Sequence, residues 1–190
     1  MEAFLASTFI VALAEMGDKT QLLAIVLAAR FRAPVPIILG ILAATLANHA
    51  VAAFLGAQAA AFMAGDWFRY LVAASFIAMG LWLLVPDRLD GEPQKPARFG
   101  AFLTTLVAFF LVEIGDKTQV ATIALAARYE AVIAVTLGTT LGMMLANVPA
   151  VFLGDALLKK VPIRLVHAVA AALFIALGGA MLAGLVLGWG

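Results

Sequence analysis

The chain has 190 residues, 65% hydrophobic and 12% charged, with a formal net charge of +1. Soluble domains carry about 45–50% apolar and about 25% charged residues, and a water-soluble globule of this size could not hide so much apolar surface. The balance predicts an all-α integral membrane protein, and the near-zero charge argues against a nucleic-acid partner. Cysteine is absent, which excludes disulfides and thiolate metal sites.

Six apolar runs follow in chain order, each meeting the requirement of about 20 residues for a spanning helix. The first covers residues 3–29. Only Glu2 precedes it, without the basic segment of a signal peptide, so it is expected to be a retained helix. Arg30, Arg32 and the Pro34/Pro36 pair are expected to end it. The second run is 37–63. The third is 67–85, with Trp67 and Tyr70 placed as interfacial aromatics. Residues 86–98 form the one clearly polar linker. The fourth, fifth and sixth runs are 99–127, 131–158 and 165–189.

Charge interrupts the first and fourth runs, in nearly the same words. Residues 15–21 read Glu-Met-Gly-Asp-Lys-Thr-Gln and residues 113–119 read Glu-Ile-Gly-Asp-Lys-Thr-Gln. At the same offset of 98 positions Arg30 matches Arg128, Gly40 matches Gly138 and Gly56 matches Gly154. Leu46-Ala47-Asn48 matches Leu145-Ala146-Asn147 after a one-residue shift. Residues 1–85 and 99–190 are thus expected to be two related halves. Three spans per half is an odd number, so the second half enters the membrane inverted, a construction many secondary transporters use.

Basic residues set the expected orientation. Arg30, Arg32, Arg88, Lys95, Arg98, Lys159, Lys160 and Arg164 fall on one side, and Arg69 and Arg128 on the other. The first set is expected in the cytoplasm, with both termini outside.

Each motif sits deep. Glu15 lies about 18 Å along a helix from Ala3, and Asp18 about as far from Arg30, in a hydrocarbon core about 30 Å thick. Ionisable groups there cost at least about 2.5–3.5 kcal/mol each, so they must face each other, water or an ion. On a continuous helix Glu15, Asp18 and Lys19 share one face, and Lys19 partly neutralises Glu15. Gly17 and Gly115 alternatively permit a local break that frees backbone carbonyls. Glu15, Asp18, Glu113 and Asp116 with Lys19 and Lys117 sum to a charge of −2, which one divalent cation or two protons would balance.

The candidate ligands are those four acids. Thr20, Gln21, Thr118 and Gln119 stand close by, and Asn48 and Asn147 are matched polar residues midway along their runs. Such oxygen donors favour hard cations: Ca²⁺, Mn²⁺ or Mg²⁺. Met16 is a soft donor that would favour Mn²⁺ over Ca²⁺, although the second copy has Ile114.

With both motifs in view, the sequence resembles uncharacterised protein family 0016. There, paired E-φ-G-D-(K/R)-(S/T) motifs sit in a six-helix duplicated membrane protein. Its members include Golgi manganese/calcium transporters and bacterial manganese exporters. The resemblance covers essentially the whole chain, and both motifs match. It implies exchange of Mn²⁺ or Ca²⁺ for protons, with the family's essential acids falling at Glu15, Asp18, Glu113 and Asp116. Lys19, Thr20, Gln21, Asn48, Lys117, Thr118, Gln119 and Asn147 would line the pathway. The short N-terminus and short linker look bacterial, so Mn²⁺ efflux across an inner membrane is the expectation. The cargo would be the metal and protons, with no tightly bound cofactor. The lipid bilayer is the expected surrounding, and a homodimer is left open.

Two other classes compete. Paired Gly-Asp segments on different helices also suit an intramembrane aspartyl protease, whose two carboxyls share a proton. A cation channel or an amino-acid exporter could use a similar duplicated fold. For the remaining polar positions the structural readings lead. Asn48 and Asn147 serve equally as interhelical hydrogen-bond donors. His49 is expected to hydrogen-bond locally, and His167 to be interfacial. Asp155 and Lys159 are expected to form a solvated pair. Gly138/Gly142 and Gly184/Gly188 are expected helix-packing pairs.

Overall fold

A computed structural model describes residues 1–63, 65–85, 100–154 and 162–188. The polar linker at 86–98 and the Asp155–Lys159 pair lie outside the described residues. Among the described residues the chain is all helical: α1 (Glu2–Glu15), α2 (Lys19–Phe31), α3 (Pro34–Phe62), α4 (Asp66–Leu83), α5 (Ala101–Glu113), α6 (Lys117–Tyr129), α7 (Val132–Leu153) and α8 (Ile163–Leu187).

The expected first and fourth runs are therefore not continuous helices. Each breaks at its motif, giving α1/α2 and α5/α6. Gly17 and Gly115 take φ of 82° and 75°, a region open to glycine at little cost, and the aspartate that follows is extended. The Pro34/Pro36 pair also differs from expectation. It opens α3 instead of only ending α2, because a proline in the first turn gives up an N–H that has no helical partner.

α3, α7 and α8 are long and apolar enough to cross a membrane, and α5 is a shorter apolar helix. Large apolar side chains such as Leu5, Phe9, Leu111, Leu141 and Val186 are exposed. A surface this apolar suits lipid, not water.

Packing follows the 98-residue offset closely. α4 and α8 lie against each other by reciprocal contacts. A Cβ at Gly80 would lie 2.8 Å from the Ala171 carbonyl oxygen, and one at Gly178 would lie 2.6 Å from that of Ala73. The matched rings of Phe76 and Phe174 meet between them at 6.0 Å. α3 rests on α5 and α7 on α1 through the same device. Gly40 abuts the Phe102 carbonyl and Thr105, while Gly138 abuts the Phe4 carbonyl and Ser7. Gly142 packs on α1 as the small-residue reading expects, but among the described residues a Cβ on Gly184 or Gly188 would meet nothing within 4 Å. Gly188 instead closes α8 in the left-handed conformation.

Phe76 and Phe174 are both fully buried at this crossing. Phe76→Ala is expected to lower stability by about 3–5 kcal/mol, the usual cost of emptying a buried aromatic site. Chemical unfolding in detergent measures it, and a loss below about 1 kcal/mol would contradict the packing described.

Candidate cation site

The two helix breaks meet in the interior. Glu15 and Glu113 are the last residues of α1 and α5, and Asp18 and Asp116 are the N-caps of α2 and α6. Within each break the aspartate N–H donates to the glutamate carbonyl at 3.1 Å. Four residues past each glycine, a glutamine closes the break. Gly17 N–H donates to Gln21 Oε1 and Gly115 N–H to Gln119 Oε1, both at 2.8 Å. Gln21 also ties the first break to α7, donating to the Ala146 carbonyl at 2.8 Å. These amides thus act as struts of the breaks. The helix ends add a field: the C-terminal ends of α1 and α5 favour a cation, and the N-terminal ends of α2 and α6 favour the aspartate carboxylates.

All four acids are buried, and carboxylate oxygens of Glu15, Glu113 and Asp116 lie within 4.8 Å of one another. Asp18 is buried beside them without joining that trio. Glu15 is held by both repeats at once. Thr20 Oγ1 donates to its Oε2 at 2.5 Å, and Thr118 Oγ1 donates to its Oε1. Glu113 is held differently: neither of its oxygens, nor Asp116 Oδ2, has a hydrogen-bond partner. Buried polar atoms are almost always paired, so these oxygens are exceptions in the interior.

The lysines are placed across repeats. Lys19 Nζ lies 2.6 Å from Asp116 Oδ1, so its carboxylate partner comes from the other half and not from Glu15 along a continuous helix. Lys117 is buried, donates to the Val85 carbonyl at 3.1 Å and lies over the Trp82 ring. Asn48 donates to the Phe110 carbonyl of α5 at 3.1 Å, an interhelical bond. Asn147 bonds within α7, to the Met143 carbonyl at 3.0 Å.

His167 has Nε2 2.6 Å from the Met16 carbonyl freed by the first break. His49, expected to bond locally, is fully buried with Nε2 3.5 Å from Glu113 Oε2. Neither histidine has a counterpart in the other repeat: Arg69 stands at the position of His167, and Val148 at that of His49 in the shifted register.

The repeats also differ around the breaks. The first is half-buried, with Ile163 of α8 packed on Gly17. The second is more open, with Ile114 exposed and, among the described residues, nothing within 4 Å of a Cβ placed on Gly115. Further along, Gly56 of α3 packs tightly against the Ile123 carbonyl of α6, while a Cβ on its counterpart Gly154 would meet nothing within 4 Å among the described residues. α3 accordingly lies along α6 more extensively than α7 lies along α2.

Carboxylates buried where two broken helices meet, inside a lipid-suited helical shell, suit a membrane protein that handles cations. The comparisons with known proteins make this specific. The chain belongs to the GDT1 family of divalent cation/proton antiporters, whose family model matches residues 3–91 and 101–187. It is 49% identical over 176 residues, 92% of this chain and 88% of the relative, to a Vibrio cholerae protein named as a manganese exporter. It is 28% identical over 195 residues to the GDT1-like protein sll0615 of Synechocystis, covering 92% and 93% of the two chains. It is 29% identical over 216 residues to GDT1-like protein 5 of Arabidopsis thaliana, covering 94% of each. No solved structure matches the chain. The family is one of transporters, so the intramembrane-protease reading is set aside.

Proposed function

We propose that this chain exports Mn²⁺ from the cytoplasm across an inner membrane in exchange for protons, with Ca²⁺ as the second candidate cargo. The observation that carries the proposal is the buried trio of Glu15, Glu113 and Asp116, drawn from both repeats and left with orphaned oxygens. Oxygen donors of this kind take hard cations, and the name of the Vibrio relative favours manganese among them.

In this reading residues 1–85 and 99–190 are two inverted halves joined by the linker at 86–98. α1/α2 and α5/α6 each make one span and α3, α4, α7 and α8 one each, six in all. Both termini face outward. Asp18 completes the acid set, Lys19 and Lys117 lower its charge, and Thr20 and Thr118 orient Glu15. The acids hold either the metal or protons, and the unequal repeats supply the alternation. The C-terminal ends of α3 and α6 pack together on the outer side more extensively than α2 and α7 do on the other, so in this reading the site opens to the cytoplasm. Exchanging the two arrangements would open it outward.

Everted membrane vesicles test the direction. With the interior acidified, they are expected to accumulate Mn²⁺, and collapsing the pH gradient is expected to stop uptake. Uptake indifferent to the gradient would support a channel and sink the proposal.

A further inference from the structure

The geometry points to His49 as a ligand of the transported cation, the single nitrogen donor in an otherwise all-oxygen site. It rests on the cation-exchange reading above and narrows the cargo to divalent first-row transition ions over Ca²⁺ and Mg²⁺.

The imidazole is fully buried on α3, and neither ring nitrogen has a hydrogen-bond partner. Leaving such a group unpaired in a protein interior is costly. Its Nε2 nevertheless aims at Glu113 Oε2, 3.5 Å away, and both oxygens of that carboxylate are equally without hydrogen-bond partners. A separation of 3.5 Å is too long for a good hydrogen bond. It is close to the distance of about 3 Å between neighbouring donors on an octahedral ion with bonds of about 2.1 Å. The ring and the carboxylate are thus spaced as two ligands of one ion would be.

The placement is held from outside the site. Asn48, the preceding residue, bonds to the Phe110 carbonyl, which pins this turn of α3 against α5 one turn before Glu113. The repeat supplies no second imidazole, since Val148 occupies the matching position. Carboxylates come in duplicate and the nitrogen comes once. A nitrogen donor strengthens binding of first-row transition ions relative to Ca²⁺ and Mg²⁺, which prefer oxygen. The duplicated motifs therefore set the charge of the site, and His49 biases its choice of metal.

Mn²⁺ itself reports the bond. Purified protein loaded with Mn²⁺ is expected to show imidazole ¹⁴N modulation in pulsed electron paramagnetic resonance. His49→Val and His49→Gln are expected to lose it. Even residues behind a ligand are worth about 10–100-fold in metal affinity, so both variants are expected to bind Mn²⁺ at least about tenfold more weakly, with Ca²⁺ binding changed less. Glutamine keeps a polar side chain of similar length, which serves if valine disturbs folding. Bound Mn²⁺ without nitrogen modulation, or modulation that survives both substitutions, overturns the assignment and leaves the proposed function standing. A wild-type protein that binds no Mn²⁺ overturns both.

Discussion

Glu15→Gln and Glu113→Gln are each expected to reduce cation–proton exchange more than about 100-fold while leaving the protein folded. The magnitude follows from removing a charged ligand, when groups one shell further out already account for about 10–100-fold in affinity. The two should fail for different reasons. Glu15 accepts hydrogen bonds from Thr20 and Thr118. A glutamine there has one acceptor oxygen for two hydroxyls and no negative charge for the ion. Glu113 has no hydroxyl to satisfy and faces His49, so its glutamine loses only the charge. Folding should survive both changes, because a buried neutral amide costs less to desolvate than a buried carboxylate. Thermal unfolding in detergent is therefore expected at or above the wild-type temperature. Wild-type exchange by the double variant in proteoliposomes would sink the mechanism, and loss of the folded peak would show that the acids are structural.

Gly56→Leu is the second large effect expected, a block in transport from a position that carries no charge. A Cβ at Gly56 would run into the main-chain carbonyl of Ile123, which cannot rotate out of the way as a side chain would. The added side chain must push α3 off α6, at a cost of about 1–3 kcal/mol in overpacking. α6 begins at Lys117, directly after Asp116, so displacing it moves half of the site. The α3–α6 contact then no longer forms, and transport is expected to stop although the acids are intact. A Cβ on Gly184 would meet nothing within 4 Å among the described residues, and Gly184 lies near the far end of α8 from Ile163, which packs on the first break. Gly184→Leu is expected to transport normally. Wild-type Mn²⁺ uptake by folded Gly56→Leu protein would mean that the α3–α6 contact is not a gate.

Much of the candidate site was legible in the residue order, because it is written twice. The repeated heptad marked the acids, and the spacing of Gly138 and Gly142 marked where α7 touches α1. Gly17 and Gly115 left two outcomes open, since a glycine in an apolar run fits a close-packed helix as well as a break. What decides is tertiary: Gln21 and Gln119 reach back to the glycine N–H groups, and the aspartates cap the helices that follow. The pairing of Lys19 with Asp116 was hidden for a similar reason. Helical spacing suggests partners within one motif, whereas the meeting of the two breaks sets partners across them. His49 and His167 were missed because the repeat itself was the signal. Residues present in only one half look incidental until the fold brings them to the site. The packed Gly56 and open Gly154 were likewise out of reach, since equal sequences cannot show that two halves take unequal positions.

In the proposed mechanism a divalent cation and protons share these buried acids. Its most direct test is proton flux in proteoliposomes enclosing a pH indicator, with Mn²⁺, Ca²⁺ and Mg²⁺ added in turn to one side. The expected result is proton movement opposite to the metal, largest with Mn²⁺, smaller with Ca²⁺ and abolished by Glu15→Gln. Metal entry without proton movement, or proton movement unchanged by that substitution, would contradict it.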